Sequence, residues 1–338
     1  MDTSFNAQLI HFFRVFLYRF DISPELLKKS TEYFGYNPRR CFKSASSVQQ
    51  LEVEKGVIES RITELATEER NMVRVLLSSR DDDTGVSHSI FQISPKDRLR
   101  YFFQCKFSHV SQWALDTFLE TFEAQQAAAA TEFYRLISLL PDAASLWGQV
   151  FKRLVFKHLA GTDAEHEFPV RGLSESESIL GPTTWTFRGP IPRFKFRQEK
   201  DFIDAITNAV QNANPLHLVP SVPNFAAVDS IVYDPNEVLT FIHITVSSRH
   251  HISVTGLERI QSWLNGTLLA PLCPSKEKSK GKAEAEARNG TWRLIFIVPS
   301  HCEASFELQP LEGDAPLGEW AGKVHQYVLG LDVIKKPE

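Results

Sequence analysis

The sequence is poor in the features that mark exported or membrane-bound proteins. Its four cysteines lie far apart without metal-ligand spacing, which indicates reduced thiols of an intracellular protein. No apolar run reaches the roughly 18 residues that a membrane-spanning helix needs. The apolar N-terminus, a predicted helix over residues 5–20, carries charges and lacks a small-residue cleavage site. We therefore expect a protein of the nucleus or cytoplasm, without a signal peptide and without a membrane partner.

The motifs of three common enzyme classes are absent as well. The chain contains no G-x-x-x-x-G-K-[ST] phosphate loop, no G-x-S-x-G nucleophile and no H-E-x-x-H zinc motif. His166 stands between two glutamates but has no second histidine at helical spacing. A net charge of -4 gives no general attraction to nucleic acid, so any such binding needs a local basic patch.

What the sequence does contain is enough apolar material for two domains. Of its 338 residues, 43% are hydrophobic. Helical periodicity dominates residues 1–142, which we interpret as a mostly helical region with a small β insertion. Strand and helix patterns alternate over residues 143–338, interrupted by a charged loop at 275–290. The predicted fold class is α+β, with a helical N-terminal region followed by a mixed α/β sheet domain.

The most informative stretch is a predicted β-hairpin. Two runs rich in β-branched and apolar residues, 226–233 and 238–246, flank a turn at 234–237 that contains proline and asparagine. Asp229 lies inside the first run, where strand propensity is poor and burial of a charge is costly. A metal ion could compensate this charge, and so could the hydrogen bonds of a structural carboxylate. Both interpretations remain open at this point.

Several segments resemble known nuclease-like proteins. The order helix, three strands, helix and strand in the C-terminal half is that of restriction-endonuclease-like (PD-(D/E)xK) domains. The segments 225–229, 244–246, 251–257 and, upstream, 148–173 resemble the C-terminal region of Crinkler-type effectors and retrotransposon hot spot proteins. The sequence GYNPRRC at 35–41 resembles a motif that follows the P-loop ATPase module of these proteins. Residues 1–142 are therefore interpreted as a remnant of an ATPase lid.

The resemblance implies a metal site from which this chain departs. Asp229 matches the first acid that would hold Mg²⁺, but His243 and Thr245 stand where the family carries Glu or Gln and Lys or Thr. Lys152 stands where an acid is expected. We expect a degenerate nuclease-like domain, with weak or no Mg²⁺ binding, that binds DNA or a host or self protein. One alternative is a weak Mg²⁺-dependent DNA endonuclease in which Asp229 and Glu237 hold metal and His243 acts as base. Another is a structural interaction module without a ligand.

Two basic segments are the candidates for contact with nucleic acid. One interleaves cations with phenylalanines before a predicted helix, and these phenylalanines are also compatible with a core. The other lies in the connection after the hairpin, where a phosphate patch competes with an ordinary polar connection. The lysines of the 275–290 loop are diluted by glutamates, which favours a solvated loop. The predicted nucleic-acid-binding residues are Arg188, Arg193, Lys195, Arg197, Lys200, Arg249 and His250.

Overall fold

The computed structural model describes most of the chain in two compact units. One unit ends at Trp147 and the other spans Gly148–Val333, so the boundary falls a few residues after the predicted one. The predicted N-terminal helix, Glu237 and the 275–290 loop lie outside the described residues. Within them, no helix is long and apolar enough to cross a membrane. The described residues are 22–35, 37–67, 91–97, 101–161, 165–173, 183–189, 191–221, 225, 228–235, 239–265, 270, 273, 292–313, 320 and 323–334.

Helices dominate the first unit, and their starts follow the expected capping chemistry. Helix α1 (Pro24–Phe34) begins with Ser23, whose hydroxyl accepts a backbone hydrogen bond, and it ends at Gly35, which has a φ of 61°. The sequence GYNPRRCF at 35–42, with its glycine, asparagine and proline, predicts a loop, and this prediction is wrong. Asn37 caps a second helix, α2 (Pro38–Ser44), because an Asn-Pro pair starts a helix in the same way as the Ser-Pro pair of α1.

Further helices and two strands follow in the first unit. The two strands pair antiparallel. The rings of Phe118, Phe122 and Phe133 pack together, with centroids 5.4 to 6.2 Å apart. The elements are α3 (Val48–Thr67), β1 (Phe91–Asp97), β2 (Tyr101–His109), α4 (Gln112–Gln125), α5 (Ala127–Leu139) and a one-turn helix (Pro141–Ala143), and α6 (Ala144–Ala160) carries the chain into the second unit.

The second unit contains a mixed sheet of eight strands in the order β4-β3-β12-β10-β8-β7-β6-β5. The predicted α+β class, with N-terminal helices and a C-terminal sheet, is thereby confirmed. The short strands β9 and β11 pair separately. The elements are β3 (Glu165–Leu173), β4 (Thr183–Arg188), β5 (Arg193–Phe196), α7 (Glu199–Gln211), β6 (Leu216–Pro220), β7 (Ser230–Tyr233), β8 (Thr240–Ile244), β9 (Ile252–Ser253), α8 (Val254–Asn265), β10 (Trp292–Pro299), α9 (Ser300–Glu303), β11 (Leu311–Glu312) and β12 (Val324–Leu331).

The centre of this sheet follows the element order read from the sequence. Helix α7 leads into an antiparallel meander of β6, β7 and β8. Helix α8 then carries the chain to β10, which pairs parallel with β8, as a crossover through a helix requires. The sequence of residues 306–308 also predicts a strand, and this prediction is wrong. Phe306 is a buried loop residue whose ring lies 5.2 Å from that of Phe296.

Alternation along the strands gives the sheet two different faces. Phe241 and Phe296 belong to a core that also contains Phe202 from α7 and Trp263 from α8. Helix α6 lies on the opposite face, where the ring of Phe156 is 5.8 Å from that of His217. The ends of β7 and β8 lie between these two covered faces, and this is the position of the predicted site.

Candidate functional site

Asp229 lies directly before β7, where the ladder with β8 begins. Its N–H donates to the carbonyl oxygen of Ile242 at 2.8 Å, and its Oδ2 accepts the N–H of Ile244 at 2.7 Å. The carboxylate therefore continues the strand pairing through its side chain. Only 16% of the side chain is exposed. This position fixes one carboxylate oxygen against β8 and directs the other toward helix α6.

The second carboxylate oxygen is paired with a lysine that comes from α6. Lys152 Nζ lies 2.5 Å from Asp229 Oδ1 and donates a hydrogen bond to it. The lysine follows Phe151, which is buried and anchors this turn of the helix. Its Nζ also lies 5.9 Å from the ring centroid of Phe156. About a third of the lysine side chain remains exposed, so the ammonium reaches the carboxylate from the solvent side.

His243 completes the cluster from the penultimate position of β8. Its Nδ1 lies 3.5 Å from Asp229 Oδ2. Nδ1 is buried and has no hydrogen-bond partner within the described part of the chain. The ring packs against those of His250 and Phe296, with centroids 4.0 and 5.6 Å away. His243 therefore stands next to the carboxylate, in the position expected for the second acid, without being tied to it.

The electrostatics of the cluster make Lys152 the counter-charge of Asp229. Burial alone raises the pKa of the Asp229 carboxyl, but the charge that His243 carries when protonated, the charge of Lys152 and the hydrogen bonds from Lys152 and Ile244 hold it below its usual value. Burial lowers the pKa of His243 to about 4, against the attraction of Asp229. Near pH 7 the imidazole is therefore neutral and the ammonium carries the compensating charge.

Two buried glutamines, which the sequence pattern did not reveal, support the loop next to the cluster. The backbone N–H of His250 donates to Gln309 Oε1 at 2.6 Å. Gln309 and Gln326 exchange hydrogen bonds between backbone and side-chain amide at 2.9 and 2.8 Å. Both residues are almost fully buried. This buried pair of amides fixes the backbone at His250, whose ring packs against that of His243.

The other predicted site residues near the hairpin do not join Asp229. Thr245 Oγ1 accepts the N–H of Ser247 at 3.1 Å, which is a local turn contact. Glu237 lies outside the described residues. Arg249 is exposed in the loop before β9. In the part of the chain that the structure describes, no three His, Cys, Asp or Glu side chains are grouped as metal ligands.

These residues do not fit Mg²⁺. The ion prefers several oxygen ligands in near-octahedral geometry. Here Asp229 offers one carboxylate whose oxygens already accept from Lys152 and from Ile244. The neighbouring His243 offers a nitrogen, which suits transition metals better than hard cations.

The structure divides the predicted basic stretch into structural and exposed cations. Arg188 pairs with Asp234 at 3.4 Å and with Glu165 at 3.5 Å. Arg193 donates from Nη2 to the carbonyl oxygen of Phe156 at 2.6 Å, and its guanidinium lies 5.4 Å from that ring. Arg188 therefore ties β4 to β3 and to the end of β7, and Arg193 ties β5 to α6. Their charges are already engaged within the fold.

The remaining cations of the stretch face solvent at one edge of the sheet. Lys195, Arg197 and Lys200 are exposed on β5 and at the start of α7. Phe194, directly before Lys195, is 39% exposed, whereas Phe196 is buried in the core. The first three residues of β5 are therefore exposed, and only Phe196 packs inward. One aromatic ring and three cations share an accessible edge.

No protein-family model, curated protein or solved structure matches the chain.

The candidate site consists of a carboxylate neutralised by an ammonium and a neutral imidazole beside it, and a basic sheet edge lies elsewhere on the same unit. Such a cluster can hold charge and position a loop. It presents no free pair of carboxylates with which to bind a hard cation and activate water.

Proposed function

We propose that the chain is a Crinkler- or retrotransposon-hot-spot-type protein whose restriction-endonuclease-like domain binds nucleic acid without cutting it. The meander β6-β7-β8, the crossover through α8 and an acid at the start of β7 support this class of domain. The observation that carries the loss of cleavage is the ion pair between Lys152 and Asp229. A metal-dependent nuclease needs that carboxylate for its cation.

The residue types around Asp229 also support binding without cleavage. A hard cation would need a second carboxylate beside the first, and His243 takes that position as a neutral ring. Thr245, where a lysine could orient water, is engaged in a turn. Each step that metal-dependent hydrolysis requires therefore lacks its residue in the described site.

The exposed edge supplies the chemistry for nucleic-acid binding. Lys195, Arg197 and Lys200 can each contact a phosphate, and such contacts carry most of non-specific affinity. Phe194 offers an exposed ring on which a base can stack, which favours single-stranded substrates. The net charge of the whole chain is -4, so binding depends on a local basic surface such as this edge.

Fluorescence anisotropy with labelled single-stranded and duplex DNA tests the binding surface. We expect the triple variant Lys195→Ala, Arg197→Ala, Lys200→Ala to bind more weakly. The slope of log affinity against log salt should become shallower by about 2 to 3, at roughly 0.7 to 0.9 for each lost phosphate contact. A matched variant, with alanine at three exposed cations of the other unit, should bind as the native chain does. The control positions are Lys28, Lys29 and Arg39.

The Phe194→Ala variant distinguishes stacking from charge. It should weaken single-strand binding by about 1–3 kcal/mol and leave the salt slope unchanged, because a stacked base is lost without a phosphate contact. Equal affinities of the native chain, the triple variant and the control would contradict the assigned surface. A chain that binds no DNA at low salt would instead support a protein partner or a structural module.

Plasmid cleavage tests the catalytic half of the proposal. Supercoiled DNA incubated with Mg²⁺ or Mn²⁺ should remain intact with the native chain and with Asp229→Ala alike. Cleavage by the native chain that Asp229→Ala abolishes would overturn this half and establish the weak endonuclease instead. Cleavage that persists in the variant would point to a contaminating nuclease.

A further inference from the structure

Resting on the proposed function, in which Asp229 marks the former metal position, we infer that the ammonium of Lys152 permanently replaces a divalent cation there. Lys152 is then the residue that excludes metal from the cluster. The ammonium neutralises the Asp229 carboxylate from the solvent side, as a divalent cation would, and no ion has to be captured. The rest of the cluster keeps two groups that can serve as ligands, Asp229 and His243.

The distances make the ammonium and a metal ion mutually exclusive. Lys152 Nζ lies 2.5 Å from Asp229 Oδ1. A metal bound to the same oxygen would lie about 2.1 Å from it. Two cations sharing one carboxylate would repel each other strongly in a site that is mostly shielded from water. The other oxygen accepts the N–H of Ile244 at 2.7 Å, which occupies one of its two lone pairs.

The burial of the three side chains shows why a counter-charge is required. Asp229 is 16% exposed and His243 is 12% exposed, whereas Lys152 is 35% exposed. A carboxylate that is largely withdrawn from water needs a partner charge, since an unpaired buried charge is strongly destabilising. Lys152 supplies it, because its ammonium reaches the carboxylate while lying 5.9 Å from the ring centroid of Phe156.

Reversing the charge at this one position should convert the cluster into a metal site. The change Lys152→Glu places a carboxylate on α6 opposite Asp229, while His243 Nδ1 lies 3.5 Å from the Asp229 carboxylate without a hydrogen bond. Two carboxylates and an imidazole are a ligand set that Mn²⁺ and similar transition metals accept. The native chain thus has two of the three ligands in place and a cation instead of the third.

Titration of the full chain with Mn²⁺, followed by calorimetry and by thermal unfolding, tests the inference. We expect the native chain to show no Mn²⁺ binding that depends on Asp229. Lys152→Glu should bind Mn²⁺ at least about tenfold more tightly, because a repulsive charge becomes an attractive one. Its Tm should rise with millimolar Mn²⁺. The double variant Lys152→Glu, Asp229→Asn should lose that response, and Lys152→Gln should show little of it.

Two outcomes would overturn the inference. One is Mn²⁺ binding by the native chain that Asp229→Asn removes, since the ammonium then excludes nothing. The other is a folded Lys152→Glu chain whose Tm and calorimetry ignore Mn²⁺. Because the readout involves no nucleic acid, failure of DNA binding would overturn the proposed function and leave this result unaffected.

A second pair of variants keeps the inference testable if Lys152→Glu does not fold. Lys152→Met retains the stem and removes the charge, so its Tm should fall. Adding Asp229→Asn removes the uncompensated carboxylate and should recover part of the loss, because the two groups are coupled. Losses of Tm that simply add would show that Lys152 is not the counter-charge of Asp229.

Discussion

His217 provides a direct test of how the sheet and α6 pack, through the pH dependence of stability. The residue lies on β6, is 2% exposed, and has a buried Nε2 without a hydrogen-bond partner among the described residues. The rings of Phe156 and Phe187 lie 5.8 and 6.4 Å from its ring. Burial and, to a smaller extent, the charge of Arg193 lower the pKa of His217 to about 3.

The size and sign of the effect follow from proton linkage. In the unfolded chain the pKa of a histidine is about 6.5, so between about pH 6.5 and about pH 3 the unfolded chain binds a proton that the folded chain does not. Stability therefore falls on acidification across this window, and is unaffected by His217 above it. At about 1.4 kcal/mol for each pH unit, the loss from His217 reaches roughly 3 kcal/mol at about pH 4.

Urea unfolding of the native chain and of His217→Phe isolates this contribution. The difference in free energy of unfolding between the two should shift by roughly 3 kcal/mol in favour of the variant between about pH 7 and about pH 4. Other titrating groups, including His243, cancel in the comparison. The exposed His301→Gln serves as a control and should follow the native pH dependence. Identical pH dependence of the native chain and His217→Phe would refute the buried, neutral state of His217.

Three further predictions concern single positions. Gly35→Ala should destabilise the chain by more than about 1 kcal/mol, since the residue has a φ of 61° and an added Cβ would meet the carbonyl oxygen of Val110. Gly56→Ala, in an open helical position, should instead stabilise it by about 0.5–1 kcal/mol. Thermal unfolding measures both changes. Gln326→Leu should cost about 2 kcal/mol or more in urea unfolding, because it leaves backbone groups of Gln309 buried without partners. Losses below about 0.5 kcal/mol would contradict the last of these.

Local patterns were sufficient to predict most of the elements but not all of their boundaries. The hairpin and the helix that begins at Pro24 follow from propensity and capping, which act over a few residues. The helix that begins at Pro38 was missed because an Asn-Pro pair starts both turns and helices. Only the surrounding packing decides between these outcomes, and a single sequence does not contain it.

The candidate site could be only half predicted for the same reason. Asp229 was conspicuous because a carboxylate contradicts the strand pattern around it. Its partner Lys152 lies 77 residues earlier, and its departure from the family pattern gave no indication that the two side chains meet. The basic stretch shows the converse. Composition grouped Arg193 with Lys195, but the carbonyl oxygen of Phe156 on α6 engages the arginine, while the lysine is exposed on β5.

The position of β5 at the edge of the sheet bears on the resistance of the protein to self-association. Among the described strands, β5 pairs only with β6, so its outer side offers backbone groups on which another chain could add a strand. A charged residue in the middle of such an edge discourages self-assembly, and Lys195 stands there. The lysine assigned to phosphate contact therefore also protects the protein against aggregation through its open edge.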